Sequence, residues 1–215
     1  MKLDLNKIIQ VPLDKAQYFQ EENKKTQIYL HHTAGGGDAK AVSRFWNSNE
    51  TRIATAFVIG HNGEIVQCFS SKHWAWHLGI DVEDFSKNGT AYQNLNKSSV
   101  GIEVCNYGQL RLKSGKFYNY TGGLVDPRNV TTLEKPFKGF VYWEKYTDAQ
   151  IESLRQLVTY LCETYDIPKT YRDEIFQIDK EAFKGTHGIF THNSVRKDKS
   201  DIYPCPRIID MLKNL

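Results

Sequence analysis

Apolar positions along the chain alternate between short β-like runs and longer helical stripes. Gln27-Ile28-Tyr29-Leu30 reads as a short strand that runs straight into His31-His32-Thr33 and a glycine loop, Gly35-Gly36-Gly37. Asp38 suits the N-cap of a helix in which Val42, Phe45 and Trp46 recur at i, i+3 and i+4. Residues 55–59 and 64–69 are β-rich runs on either side of Asn62-Gly63, a strong hairpin signal, and Ser99–Val104 predicts a further strand. The clearest helix starts at Thr147: Thr147-Asp148-Ala149-Gln150 spells a capping box, and Ile151, Leu154, Leu157, Val158 and Leu161 form one apolar stripe that Pro168 stops. A last strand through Gly188–Thr191 leads into His192, and a closing helix from about Pro206 carries Ile208, Ile209 and Leu212.

Strands and helices that alternate in this way predict an α/β fold, a single domain with a central mixed sheet flanked by helices. Residues 1–26 read as a polar, irregular N-terminal extension packed on a domain spanning 27–215. Within that domain, 107–146 reads as an aromatic-rich insertion with a turn near Ser114-Gly115.

Composition narrows the class. With 215 residues, 40% of them hydrophobic and 25% charged, the chain matches a soluble globular protein. A chain of this size buries roughly 70% of its unfolded surface, enough for one large core. No run approaches the ~18 apolar residues of a membrane span, and the mixed-charge N-terminus has no apolar stretch of signal-peptide length, so a cytoplasmic location is expected; the chain is also expected to be a monomer. A net charge of +3 makes no electrostatic case for nucleic acid. Cys68, Cys105, Cys162 and Cys205 are widely spaced with no CxxC pair and are expected as free thiols. What stands out is 13% aromatic residues and seven histidines.

Several of these residues could carry chemistry. His31 ends a strand just before a glycine loop, where an imidazole serves as a metal ligand or as one of a hydrogen-bonded pair. His192 precedes Lys199-Ser200-Asp201, which alone reads equally as a solvated charge run. Two imidazoles with one carboxylate or thiolate form the usual three-ligand set of a catalytic zinc, and this segment offers a carboxylate, Asp201. Glu103, between Ile102 and Val104, is either a paired or working carboxylate or the solvent side of an alternating strand. Trp74, Trp76 and His77 are either core aromatics or the wall of a groove that stacks on sugar rings.

In their order, IYLHHTAGG at 28–36, TAFVIGHNGEIVQ at 55–67, AWHLG at 75–79, SVGIEV at 99–104, YTDAQIESLRQLV at 146–158 and His192 with Lys199-x-Asp201 resemble the type 2 N-acetylmuramoyl-L-alanine amidases. That group includes phage lysozyme-amidases and peptidoglycan recognition proteins. The resemblance implies their fold and a zinc enzyme that cuts the amide between the lactyl group of N-acetylmuramic acid and L-alanine of the stem peptide. By position it implies His31, His192 and Asp201 as ligands of Zn2+, Glu103 in proton transfer, and Lys199 beside the developing oxyanion. Thr55, Trp74, Trp76 and His77 would contact substrate.

Three departures stand out. Ala54-Thr55 replaces the glycine and tyrosine of one branch, Cys205-Pro206 matches the cysteine branch's ligand loop, and 107–146 has no counterpart in the minimal pattern. The implied partner is peptidoglycan or a soluble muropeptide. A phage-type endolysin, held in the host cytoplasm until release to the wall, is the first reading. A cytosolic amidase recycling anhydro-muropeptides, a non-catalytic peptidoglycan-binding module and a zinc hydrolase of another amide are the alternatives. Aromatic side chains available for the substrate are Trp74, Trp76, Tyr118, Tyr120 and Trp143. Lys184, Arg196 and Lys197 would either approach an anionic wall or form a solvated face.

Overall fold

The computed structural model describes residues 2–48 and 50–215. Strands β1 (Ile9–Gln10) and β2 (Gln27–His32) are followed by helix α1 (Ala39–Asn47), strands β3 (Phe57–Ile59) and β4 (Ile65–Gln67), and short helices α2 (Val82–Lys87) and α3 (Leu95–Ser98). Strand β5 (Ser99–Val104) leads into β6 (Arg111–Lys113), β7 (Lys116–Tyr118), β8 (Leu124–Val125), β9 (Val130–Phe137) and β10 (Phe140–Glu144). Helices α4 (Asp148–Tyr165) and α5 (Lys180–Phe183), strand β11 (Gly188–Thr191) and helix α6 (Pro206–Lys213) follow.

Six strands form the central sheet in the order β1-β4-β3-β5-β2-β11. Strands β3, β5, β2 and β11 are parallel, while β4 pairs antiparallel with β3 and parallel with β1, so the sheet is mixed as expected. All six residues of β2 are buried, the signature of a parallel strand covered on both faces. The parallel strands end on one edge, the place where open α/β sheets gather their functional groups.

Helix α4 has the predicted capping box: Thr147 accepts from the Gln150 backbone, and the Gln150 side chain accepts from the Thr147 backbone. Leu154, Leu157, Val158 and Leu161 are buried, and the helix ends at Asp166 in the left-handed conformation, before Pro168. The β3–β4 connection spans five residues. Gly63 within it has φ +82°, and a Cβ there would lie 2.8 Å from the Ala149 carbonyl oxygen, so both conformation and contact require glycine.

Two expectations need correction. Residues 1–26 are not merely irregular, since β1 forms the sheet's outer strand and Leu13 enters the core. Lys25 is fully buried, its ammonium donating to the carbonyls of His73 (2.8 Å) and Lys97 (2.7 Å). Asp38 does cap α1, but the helix buries Ala39, Ser43 and Trp46, leaving Phe45 68% exposed. Ser43 belongs inside because its hydroxyl donates to the Val11 carbonyl (3.1 Å) of the N-terminal segment lying over it.

Residues 107–146 fold as a three-stranded sheet, β6-β7-β8, and a hairpin, β9–β10. The predicted turn is present, with Ser114 and Gly115 both at positive φ. Trp143, expected as a substrate aromatic, is fully buried and stacks on Tyr203 (4.7 Å), which in turn stacks on Tyr146 (5.2 Å). All four cysteines are buried and free.

Candidate active site

Three strand ends supply the site. His31 is the fifth residue of β2, Glu103 pairs with it in register on β5, and His192 follows β11 directly. Paired neighbours in a sheet point to the same face, so His31 and Glu103 share one. Asp201 arrives on the loop before α6, and Asn193 ties that loop to the His192 turn by donating to the carbonyls of Asp201 and Ile202, each at 3.1 Å.

The ligand-type atoms converge. His31 Nδ1 lies 3.1 Å from both His192 Nδ1 and Asp201 Oδ2, and His192 Nδ1 lies 2.9 Å from Asp201 Oδ2. Among the described residues, His31, His192 and Asp201 form the group of histidine, cysteine and acidic side chains able to hold a metal ion, and all three are buried. Cys205 is buried elsewhere, at the N-cap of α6. Burial holds the His31 imidazole down to about 4, against the pull of Asp201. Burial alone would raise Asp201, but His192 and His31 outweigh it and keep the carboxylate well below its usual range. The outer nitrogen of His192 lies 3.0 Å from the Leu78 carbonyl oxygen. A carbonyl only accepts, so this nitrogen carries a proton, and Nδ1 is the nitrogen left to face an ion. A neutral imidazole beside an ionised carboxylate, with lone pairs crowded together, is chemistry that a divalent cation satisfies.

A cleft of about 440 Å³ opens over these groups, lined in part by Thr55, His77, Glu103, Tyr107 and Lys199. Glu103 Oε2 is enclosed and has no hydrogen-bond partner among the described residues. Its carboxyl is pushed well above the ordinary value by burial and by Asp201, with Lys199 opposing. A neighbouring trough of about 540 Å³ runs along the glycine loop past Val42, Phe45 and Trp46 and shares Glu103 and Tyr120 with the cleft. Tyr120, from the 107–146 segment, donates to the Ala34 carbonyl (2.5 Å) and stands where the two hollows meet.

Of the residues singled out in the sequence, the structure gathers His31, His192, Asp201, Glu103, Lys199, Thr55 and His77 around one cleft. Trp74 is not among them. It is buried, stacked on Phe19 with ring centres 3.9 Å apart, and its indole donates to Glu21. Trp76 packs edge-on against both rings, 37% exposed and outside the cleft. Tyr120, expected as a substrate aromatic, does line the cleft, whereas sequence reasoning missed Asn193, Trp46 and Tyr107. Asn193 follows His192 directly, and that His-Asn pair was the only local signal for it.

The sequence matches the N-acetylmuramoyl-L-alanine amidase family model over residues 21–206. The chain therefore belongs to that family, whose membership supports amidase activity on peptidoglycan. No curated protein sequence matches the chain. Among solved structures, PlyL superposes with a TM-score of 0.56 at 14% identity, covering 96% of each chain. A selenomethionine derivative of AmpD gives 0.53 at 19%, covering 98% of this chain and 99% of that one. The endolysin amidase LysCS from Clostridium intestinale URNW gives 0.51 at 14%, covering 98% and 95%. At these identities the likeness is one of fold.

Proposed function

We propose that this chain is a zinc-dependent amidase that cleaves the bond between the N-acetylmuramic acid lactyl group and L-alanine, acting on intact wall as an endolysin does. The observation that carries the reading is the convergence of His31, His192 and Asp201 at a cleft that Glu103 also lines, its Oε2 enclosed and unpartnered among the described residues. His31 Nδ1, His192 Nδ1 and Asp201 Oδ2 would hold the ion, and zinc, when bound, supplies a Lewis acid for the carbonyl and lowers the pKa of water toward ~7. Glu103 accepts the proton of the attacking water and returns it to the departing L-alanine amine. Burial without a partner makes it a stronger base than an exposed carboxylate, which suits both transfers. Lys199 brings positive charge to the same cleft, where it stabilises the oxyanion that forms on the carbonyl. Thr55 lines the cleft but donates its hydroxyl proton to the Phe57 carbonyl (2.9 Å), so it contributes shape and an acceptor rather than an acid. The exposed face of Phe45, with Trp46 and Tyr120, offers an aromatic trough of the kind on which sugar rings stack.

The test follows stem-peptide release from purified sacculi and from soluble anhydro-muropeptides, with metal content measured in parallel. Zinc-dependent release from sacculi, lost in Glu103→Ala, is the expected result. Activity that survives exhaustive chelation overturns the zinc assignment, and activity confined to the soluble substrate replaces the endolysin role with a recycling one. Tight muropeptide binding without cleavage would make the chain a binding module.

A further inference from the structure

Each ligand histidine has an outer nitrogen, and both outer nitrogens are met by one dipeptide. His192 Nε2 faces the Leu78 carbonyl at 3.0 Å, and His31 Nε2 faces His77 Nδ1 at 3.1 Å. Residues 77 and 78 are held by a single side chain: the Asn96 amide oxygen accepts from the backbone N–H of His77 (3.0 Å) and of Leu78 (3.1 Å).

The direction of every proton in the His77 branch follows from its far end. Ser99 Oγ donates to the Leu95 carbonyl oxygen at 2.6 Å, and a hydroxyl has one proton to give. At His77 Nε2, 2.9 Å away, Ser99 therefore presents a lone pair, so Nε2 must carry the imidazole's proton. Among the described residues no carboxylate is hydrogen-bonded to the His77 ring, so its Nδ1 is bare and accepts from His31 Nε2–H. His31 then has its own lone pair on Nδ1, the nitrogen that faces His192 and Asp201. Gly101 makes room for the relay: a Cβ there would approach Thr55 Cγ2 to 2.7 Å and His77 Nδ1 to 3.1 Å.

We propose that His77 and Ser99 are positioning residues that, with the Asn96-clamped 77–78 backbone, fix which nitrogen each ligand histidine turns toward the metal. This rests on the metal-site reading above and reassigns His77 from substrate contact to ligand orientation. Partners of this kind are typically worth about 10–100-fold in metal affinity.

Two measurements test it. In zinc-loaded protein, imidazole 15N–1H correlation spectra should place the His77 proton on Nε2; a proton on Nδ1 overturns the proposal. Zinc affinity, read by chelator competition, should fall about 10–100-fold in Ser99→Ala and His77→Leu. Ser99→Thr and His77→Gln, each of which keeps an acceptor in place, should stay within a few-fold of the parent. If His77→Leu and His77→Gln lose affinity equally, or neither loses any, the relay has no orienting role. His31→Ala is the control, because zinc affinity unchanged in that variant sinks the metal site itself and the relay with it, whereas a normal control loss confines any failure to the relay.

Discussion

Glu103 concentrates the conflict between function and stability at the level of one residue. Its folded-state pKa is raised, so its neutral form is the one that burial favours. That contribution is full below the unfolded value near 4.5 and is lost as pH rises toward the folded value. Glu103→Gln removes a charge that is costly to hold at neutral pH. In metal-free protein the variant should therefore be more stable than the parent at pH 7.5 by about 1–3 kcal/mol. The gap should close near pH 4, as thermal melts at both values will show. The same substitution should lower turnover by about 100- to 10,000-fold. Equal melting differences at the two pH values would refute the assignment of the effect to ionisation. In the sequence, Glu103 was visible only as a carboxylate among apolar neighbours, compatible with solvent as well as with a site. What decides between them is its register against His31, a fact about strand pairing that no local pattern contains. Lys25 is a similar case: it closes a charged run, and its burial depends on two carbonyls 48 and 72 residues away.

Among the elements, those legible in the sequence are the ones specified by contacts within themselves. The capping box of α4 and the alternation of β5 are local, and both elements have the predicted boundaries at these points. Thr147→Ala should cost about 1 kcal/mol in urea unfolding, with Thr147→Ser close to the parent. The short strand β1 has two residues, too few for a periodicity, and exists because β4 offers an edge. The buried face of α1 was misread for a related reason, because apolar spacing could not reveal the Val11 carbonyl that takes Ser43 inward. The β9–β10 hairpin, unassigned in the sequence, braces the ligand loop. Trp143 stacks on Tyr203, the Tyr203 hydroxyl donates to the Glu144 carbonyl (2.8 Å), and Lys138 donates to the Lys197 carbonyl (2.7 Å). Trp143→Ala should cost about 3–5 kcal/mol and weaken zinc binding together with stability, because Tyr203 lies two residues from Asp201. Loss of stability with zinc affinity untouched would separate the hairpin from the site.

For the whole molecule, the sheet's outer edge and its functional edge make separate demands. Removing residues 1–12 should uncover β4 and leave an unpaired edge, lowering the melting temperature and promoting association, to be read by light scattering. Zinc in 1,000-fold excess over its dissociation constant should stabilise the native state by about 4 kcal/mol, or roughly 2–4 °C of melting temperature for each kcal/mol. Chelation should reverse the shift. A melting temperature indifferent to zinc and chelator would contradict a site built from native-state ligands.

The 170 residues that separate His31 from Asp201 also set a schedule for synthesis. The strand that carries His31 is finished before both of its sheet neighbours, β5 and β11, and β11 comes last of the three. As the chain leaves the ribosome, β2 must wait with one side open until β11 arrives, and His192 and Asp201 come only after that. A nascent or prematurely terminated chain thus has no means of assembling the full ligand set. The three ligands can meet only once the chain has been made as far as Asp201.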